Sequence, residues 1–215
     1  MEAWQTTSMK QKLRFLLDRK PFFAGLGVKQ VPLHFYSAGR RHIGNAEQPW
    51  RQALRSDTRV FRADVQHDGH VDVTCLQSEA RSYSENGQPH HISGLHPEMQ
   101  EEVVRHPMFT ACLLLLHDRL QRATEEVMGA GKEEINFVVS CNAGNQRSVA
   151  MVSIMRAVLE KDGWPRVTAD HLHLWGCKDP FVAVKCCHCR ACWYPGGVPA
   201  HVVQSAFQQW RAVCC

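Results

Sequence analysis

The chain has 215 residues, of which 44% are hydrophobic and 21% are charged, and this balance is typical of a soluble globular protein with one good core. No apolar run approaches the roughly 18 residues of a transmembrane helix, and the first residues lack the basic and apolar regions of a signal peptide. We therefore expect a cytoplasmic protein with no membrane contact and mostly reduced cysteines. The net charge of +4 allows an anionic ligand or a nucleic acid but demands neither.

The N-terminal half predicts an extension followed by strands. Residues 1–30 are mixed and mildly basic, without the pattern of a domain. Alternating apolar residues then predict three strands, at 31–37, 60–65 and 71–76. Three polar or glycine-containing segments are predicted to connect these elements. They are a basic loop at 38–44, a turn at Asp68-Gly69 and a long loop at 77–94.

Helical periodicity prevails in the second half. Pro97 to His106 predicts a short helix, and Pro107 is expected to open a second helix that ends at Gly129 or Gly131. The buried stripe of the second helix is predicted to consist of Phe109, Cys112, Leu113, Leu116 and Leu120. The remaining predicted elements are a strand at 135–139, a helix through Glu160, a strand at 166–173 and a helix at 200–213. This order predicts a single α/β domain with right-handed crossovers, a mostly parallel sheet flanked by helices, and ligands at the carboxyl ends of the strands.

The segment Cys141–Ser148 has the spacing of an anion cradle, because it is a glycine-containing loop between an apolar strand and an amphipathic helix. The backbone N–H groups of such a loop converge on one spot, and the helix dipole adds partial positive charge there. Arg147 can complete the ring of donors with a bidentate guanidinium. The segment therefore predicts a site for phosphate, sulfate or a carboxylate.

The same Cys-x5-Arg-Ser spacing is that of cysteine phosphatases, in which the cysteine is the nucleophile. Cys141 would then have to be a thiolate, which a helix N-terminus and Arg147 can stabilise, and a general acid would be needed. Asp118 lies in the middle of a predicted helix, and Asp179-Pro180-Phe181 resembles the acid segment of tyrosine phosphatases whose cysteine loop lies near the N-terminus. A third interpretation is a structural turn in which Arg147 is bound internally. We favour non-catalytic anion binding.

Three separated segments, in order along the chain, resemble the C-terminal domain of the RNase adapter protein family RapZ. They are residues 35–44, similar to the family's first strand and F-G-F-K-H-G loop, residues 92–96, similar to its T-G-L-D segment, and residues 137–149, similar to its strand and G-C-T-G-G-x-H-R-S-V loop. The resemblance spans residues 33–175 and implies an α/β domain that binds a phosphorylated amino sugar or a similar small anion and engages RNA. By matching position, the implied ligand site contains His42, Cys141, Asn142, Ala143, Gly144, Gln146, Arg147 and Ser148.

The chain departs from the family pattern at three places. Full-length members carry an N-terminal P-loop kinase-like domain, whereas this sequence has no G-x-x-x-x-G-K-[ST] motif, so ATP binding of that type is not implied. Amides or a methyl group replace a hydroxyl, a glycine and an imidazole in the loop, at Asn142, Ala143 and Gln146. The family's basic RNA-binding tail has no clear counterpart, so we expect RNA binding to be weak and to involve Arg40, Arg41 and the basic N-terminal stretch.

A cysteine-rich segment follows the resembling region. Its thiols could hold zinc, at Cys177, Cys186, Cys189 and Cys192. The C-x2-C-x2-C spacing is not that of a standard zinc finger, and no second clean pair is present in the sequence. We therefore predict neither a metal site nor a cofactor.

The sequence predicts three regions, which are an extension at 1–30, an α/β anion-binding domain at 31–175, and a cysteine-rich segment with a terminal helix at 176–215. The predicted function is non-catalytic binding of a small phosphorylated or dicarboxylate metabolite by a sensor or adaptor. A phosphatase that uses Cys141 as nucleophile and Arg147 as anion ligand is the alternative. RNA and a second copy of the chain stay open as further partners.

Overall fold

A computed structural model describes residues 31–39, 68–76, 81–83, 89–142, 144, 146–164, 166–171 and 197–214 of the chain. The elements within these residues, in chain order, are β1 (Leu33–Gly39), β2 (Gly69–Asp72), β3 (Arg81–Tyr83), β4 (Pro89–His91), α1 (Pro97–Arg105), α2 (Phe109–Gly129), β5 (Ile135–Cys141), α3 (Arg147–Lys161), β6 (Val167–His171) and α4 (Ala200–Cys214). A parallel sheet has the strand order β2-β5-β1-β6, and β3 pairs with β4 in an antiparallel hairpin. The predicted α/β class with a mostly parallel sheet and flanking helices is confirmed.

The centre of the sheet is β5, and every one of its residues is buried. Continuous burial of this kind is typical of a parallel strand that is covered on both faces. The register of β5 with β1 runs from Leu33 opposite Ile135 to Gly39 opposite Cys141. Because the two strands end together, the chain segments that follow Gly39 and Cys141 begin side by side at the carboxyl edge of the sheet.

Helices α2 and α3 contribute most of the packing around the sheet. Helix α2 packs on β2 and β5, helix α3 packs on β1, β5 and β6, and helix α4 packs against α2 and α3. The predicted apolar stripe of α2 is buried throughout, at Phe109, Cys112, Leu113, Leu116 and Leu120. Each fully buried side chain of this size stabilises the fold by about 1.5–3 kcal/mol. None of the described helices is both long and apolar enough to cross a membrane.

Two predicted boundaries near the sheet are wrong. Ala38 and Gly39 were expected in the basic loop, but both belong to β1, because they continue the pairing with β5. Asp68 lies in a bend, but Gly69 of the predicted turn is the first residue of β2, where it pairs with Phe137 and a Cβ on the glycine would lie 2.4 Å from the Phe137 ring. The glycine is therefore required by close packing inside the sheet and not by a turn.

The segment after β2 also differs from the prediction. The strand expected at 71–76 ends at Asp72, because the Asp72 carboxylate accepts hydrogen bonds from the backbone N–H and the hydroxyl of Thr74 and closes a turn. The long loop expected at 77–94 contains the β3–β4 hairpin. Helix α2 begins at Phe109, two residues after the proline that was expected to open it. The predicted extension at 1–30, the strand at 60–65 and the cysteine-rich segment lie outside the described residues.

Candidate anion-binding loop

The loop between β5 and α3 packs directly on the end of β1. Gly144, in this loop, has a φ of +79°, which L side chains rarely adopt. A Cβ at this position would lie 2.3 Å from the backbone nitrogen of Gly39. The loop can approach the neighbouring strand this closely because residue 144 has no side chain.

The sulfur of Cys141 joins the two ends of the loop. Cys141 is the last residue of β5 and is only 1% exposed. Its Sγ accepts the N–H of Gly144 at 3.2 Å and lies 3.3 Å from the hydroxyl of Ser148, which is in the first turn of α3. Both partners belong to the loop or to the first turn of α3, so the buried thiol stabilises the loop by linking its two ends.

The N-terminus of α3 faces the carboxyl edge of the sheet. Gln146 is its N-cap residue, yet the Gln146 side chain makes no capping hydrogen bond. Its amide nitrogen instead donates to the carbonyl of Ile92 at 3.0 Å. The first N–H groups of a helix have no intrahelical partner, and Gln146 does not supply one. Such an end, with its partial positive charge, is suited to an anion.

Gly94 braces this end of α3 from the other side. A Cβ at Gly94 would lie 2.1 Å from the carbonyl oxygen of Gln146 and 2.4 Å from the nitrogen of Ala150. The Gly94 carbonyl in turn accepts a hydrogen bond from the buried amide of Gln100 at 3.2 Å. Gly94 and Gln100 were not among the predicted site residues. The resemblance at residues 92–96 was the sequence signal for Gly94, and no sequence signal pointed to Gln100.

Arg147 is the first residue of α3, and its guanidinium is held by the turn after β2. Its Nη1 donates to the backbone carbonyl of Thr74 at 2.6 Å. Thr74 is itself fixed by the Asp72 carboxylate at the end of β2. The internal contact on which the structural-turn interpretation depends therefore exists, but it uses one of the five N–H donors of the Arg147 guanidinium. No local sequence signal identifies Thr74, because a backbone carbonyl is common to all residues.

The structure brings most of the predicted site residues together. One loop and helix start contain Cys141, Asn142, Gly144, Gln146, Arg147 and Ser148. Ala143, His42 and the basic residues beside His42 lie outside the described residues, as do the candidate zinc ligands and Asp179. The other candidate general acid, Asp118, forms an ion pair with Arg122 at 3.1 Å on α2. No group of three or more His, Cys, Asp or Glu side chains in the described ranges is arranged to hold a metal ion.

Comparison with known families agrees with this arrangement. Residues 60–175, more than half of the chain, match the family model of the RapZ C-terminal domain. The match contains β2 through β6 and the whole loop between β5 and α3, whereas β1 and His42 precede it. Searches of curated proteins and of solved structures gave no match. From the matched region, together with its parallel sheet and loop, we conclude that the chain belongs to the RapZ C-terminal domain family.

Proposed function

We propose that this protein binds a small phosphorylated or dicarboxylate metabolite, such as a phosphosugar, in the loop between β5 and α3, and that it acts as a non-catalytic sensor or adaptor. The proposal rests on one observation at the N-terminus of α3. The side chain of its N-cap residue does not cap the helix, and the guanidinium of Arg147 is anchored beside this end. Membership of the RapZ C-terminal domain family supports the same role.

The anchoring of Arg147 favours binding. Holding a free arginine in one geometry costs side-chain entropy, and the hydrogen bond to Thr74 already restricts this one. The remaining N–H donors of the guanidinium can bind an anion beside the helix N-terminus. A hydrogen bond to a charged group contributes about 1.5–3 kcal/mol, which is roughly a fifth to a third of the about 8 kcal/mol of a micromolar affinity.

Arg147→Ala is expected to weaken the binding of inorganic phosphate and of glucose 6-phosphate by about ten- to more than a hundredfold, because it removes the charged donor. Isothermal titration calorimetry of the wild type and the variant measures this ratio. A thermal-shift screen of phosphosugars, nucleotides and dicarboxylates, made first, identifies the best ligand, because a compound that binds only the folded state raises the melting temperature.

The matched control is Arg156→Ala. Arg156 is on the same helix, but its side chain is 52% exposed and is paired with Glu160. This variant is expected to bind as the wild type does. Equal affinities of wild type and Arg147→Ala, or an equal loss in both variants, would contradict the proposed site.

The position of Cys141 supports binding without catalysis. A nucleophilic sulfur must reach the phosphorus atom of its substrate, whereas the Cys141 sulfur is buried between Gly144 and Ser148. Asp118, paired with Arg122, is not a free acid beside the loop. The phosphatase alternative therefore has the cysteine and the arginine of that chemistry, but its candidate acid Asp118 is ion-paired on α2, and Asp179 lies outside the described residues.

Cys141→Ser is expected to bind phosphate within about threefold of the wild type, because a hydroxyl can also accept the N–H of Gly144. Neither protein is expected to hydrolyse an aryl phosphate. A continuous assay with such a substrate over pH 5–8 checks this directly. Hydrolysis by the wild type that disappears in Cys141→Ser would establish the phosphatase alternative instead.

RNA is a second partner that the family resemblance implies. The residues on which that prediction depends are Arg40, Arg41 and the basic N-terminal stretch, and all of them lie outside the described residues. Small-anion binding depends mainly on Arg147 and the start of α3, whose contacts are described, and it is therefore the function that we propose first.

A further inference from the structure

We propose that Cys75 and Cys112 form a redox-active dithiol that hydroperoxides oxidise to an intramolecular disulfide. The two residues are 37 positions apart in the sequence, and neither belongs to the anion-binding loop. Cys75 is in the turn that follows β2, and Cys112 is in the first turn of α2. The packing of α2 on β2 brings their sulfur atoms to 3.4 Å from each other.

The two thiols have unequal environments. Cys75 is partly exposed and therefore accessible to a small oxidant, whereas Cys112 is 3% exposed. The hydrogen bond between the two thiols lowers the pKa of Cys75 to about 7, and the nearby charge of Arg147 acts in the same direction against burial and the charge of Asp72. The same hydrogen bond, together with burial, raises the pKa of Cys112. The greater exposure of Cys75 and these two directions agree that Cys75 ionises more readily than Cys112.

This division of roles matches the two steps of disulfide formation by a peroxide. In the first step the Cys75 thiolate attacks one oxygen of the hydroperoxide, and the O–O bond breaks to give a sulfenic acid and, after protonation, water or an alcohol. In the second step the Cys112 sulfur attacks the sulfenic sulfur, its proton leaves with the hydroxyl as water, and the S–S bond forms. The two thiols lose two electrons in total, and the hydroperoxide accepts them.

The geometry requires only a small adjustment. The sulfur atoms have to approach from 3.4 Å to about 2.05 Å, the length of a disulfide bond. The Cys75 side chain is in a short turn outside the sheet, so the turn can move without breaking the pairing of β2 with β5. Cys141, by comparison, has the Ser148 hydroxyl and the Gly144 N–H as its hydrogen-bond partners, and within the described part of the chain neither partner is a thiol.

The pair is next to the residue that holds Arg147. Thr74 directly precedes Cys75, and its carbonyl accepts the hydrogen bond from the Arg147 guanidinium. Movement of this turn on oxidation changes the position of the arginine. Oxidation is therefore expected to alter anion affinity, a consequence that rests on the proposed function.

Peptide mapping tests the disulfide. Trypsin is expected to release Cys75 in the peptide 63–81 and Cys112 in the peptide 106–119, and neither peptide contains another cysteine. The reduced full-length protein is treated with stoichiometric hydrogen peroxide, free thiols are alkylated, and the digest is analysed by mass spectrometry without reductant. The expected product is the linked pair of peptides, two hydrogens lighter than their sum. Recovery of both peptides as alkylated thiols, or a link from Cys75 to another cysteine, would overturn the proposal.

Variants identify the role of each sulfur. Cys112→Ser is expected to lose the linked peptides and to accumulate a Cys75 sulfenic acid that dimedone traps. Cys75→Ser is expected to lose the link without trapping at Cys112. Cys214→Ser, which removes a partly exposed cysteine at the end of α4, is the matched control and should keep the full yield. A linked product that persists in either single variant would also refute the assignment.

Calorimetry with inorganic phosphate tests the consequence for the loop. The affinities of the reduced and the oxidised wild type are expected to differ by about fivefold or more, while Cys112→Ser, unable to form the disulfide, keeps a smaller difference. Equal affinities would refute the coupling. A reduced protein that does not bind phosphate at all would refute the proposed function and this consequence together, whereas the linked peptides would still decide the disulfide.

Discussion

Gly144→Ala is expected to lower the free energy of unfolding by about 3 kcal/mol or more, for two reasons that add. Its φ of +79° is strained for an alanine. The new methyl group would also lie 2.3 Å from the nitrogen and 2.6 Å from the Cα of Gly39, and a strand backbone in the sheet cannot move aside as a flexible side chain can. Urea unfolding followed by circular dichroism measures the change.

Gly163→Ala is the matched control for this variant. Gly163 follows α3 with a φ of +91°, and no atom lies within 4 Å of the position that its Cβ would occupy. Its substitution therefore carries the backbone strain without the clash, and is expected to cost only about 1–2 kcal/mol. If the two variants lost the same stability, the close approach of the loop to β1 would be disproved.

Acidification from pH 8 to pH 5 is expected to destabilise the protein through two histidines, of which His117 is buried and His171 is half-buried. Burial lowers the pKa of His117 to about 4, and the charge of Asp118 offsets this only in part. Burial also lowers the pKa of His171 to about 4, where Asp170 opposes the shift and Arg156 adds to it. The His117 ring is 5% exposed and packs edge-on against Trp210, and the His171 ring is hydrogen-bonded to the hydroxyl of Ser37.

The direction follows from proton binding. Between pH 6.5 and pH 4 the unfolded chain binds protons at these histidines that the folded protein excludes, so their contribution is complete above pH 6.5 and is lost as the pH falls towards 4. Each histidine then lowers the free energy of unfolding by about 2 kcal/mol at pH 5. The two effects together approach the whole stability of a marginal domain.

The measurement is the unfolding free energy of the wild type, His117→Gln and His171→Asn at pH 8 and pH 5. The free energy of unfolding at pH 8 reports the packing cost of each substitution. The change in that free energy between pH 8 and pH 5 reports the contribution of histidine protonation. Each variant is expected to lose about 2 kcal/mol less than the wild type on acidification. The same pH dependence in all three proteins would mean that these histidines do not bind their protons mainly on unfolding.

Much of the fold follows from local patterns in the sequence. The apolar stripe of α2 and the continuous apolar run of β5 each reflect a few neighbouring residues, and both predictions are confirmed. The alternation of strands and helices then requires a parallel sheet, and a parallel sheet places the strand ends at one edge. The loop from Cys141 to Ser148 could be predicted as a candidate anion site because the residues that suggest it are contiguous in the chain.

The errors have a common origin in contacts between distant parts of the chain. Gly69 was interpreted as a turn residue, but it is required by the Phe137 ring on the neighbouring strand. The local sequence predicts that Ala38 and Gly39 belong to a loop, and only the pairing with β5 makes them part of a strand. A local sequence pattern does not identify contacts with residues that are distant in the chain.

The sequence by itself therefore determined the α/β class, the main helices and the position of the candidate loop between β5 and α3, because each depends on residues within a few positions of each other. The tertiary structure alone decided how that loop is held. The Thr74 carbonyl fixes Arg147, Gly94 packs against the start of α3, and Cys75 meets Cys112 across 37 residues. These contacts use backbone atoms or single side chains that have no pattern of their own, and only the packing of α2 and α3 around the sheet brings them together.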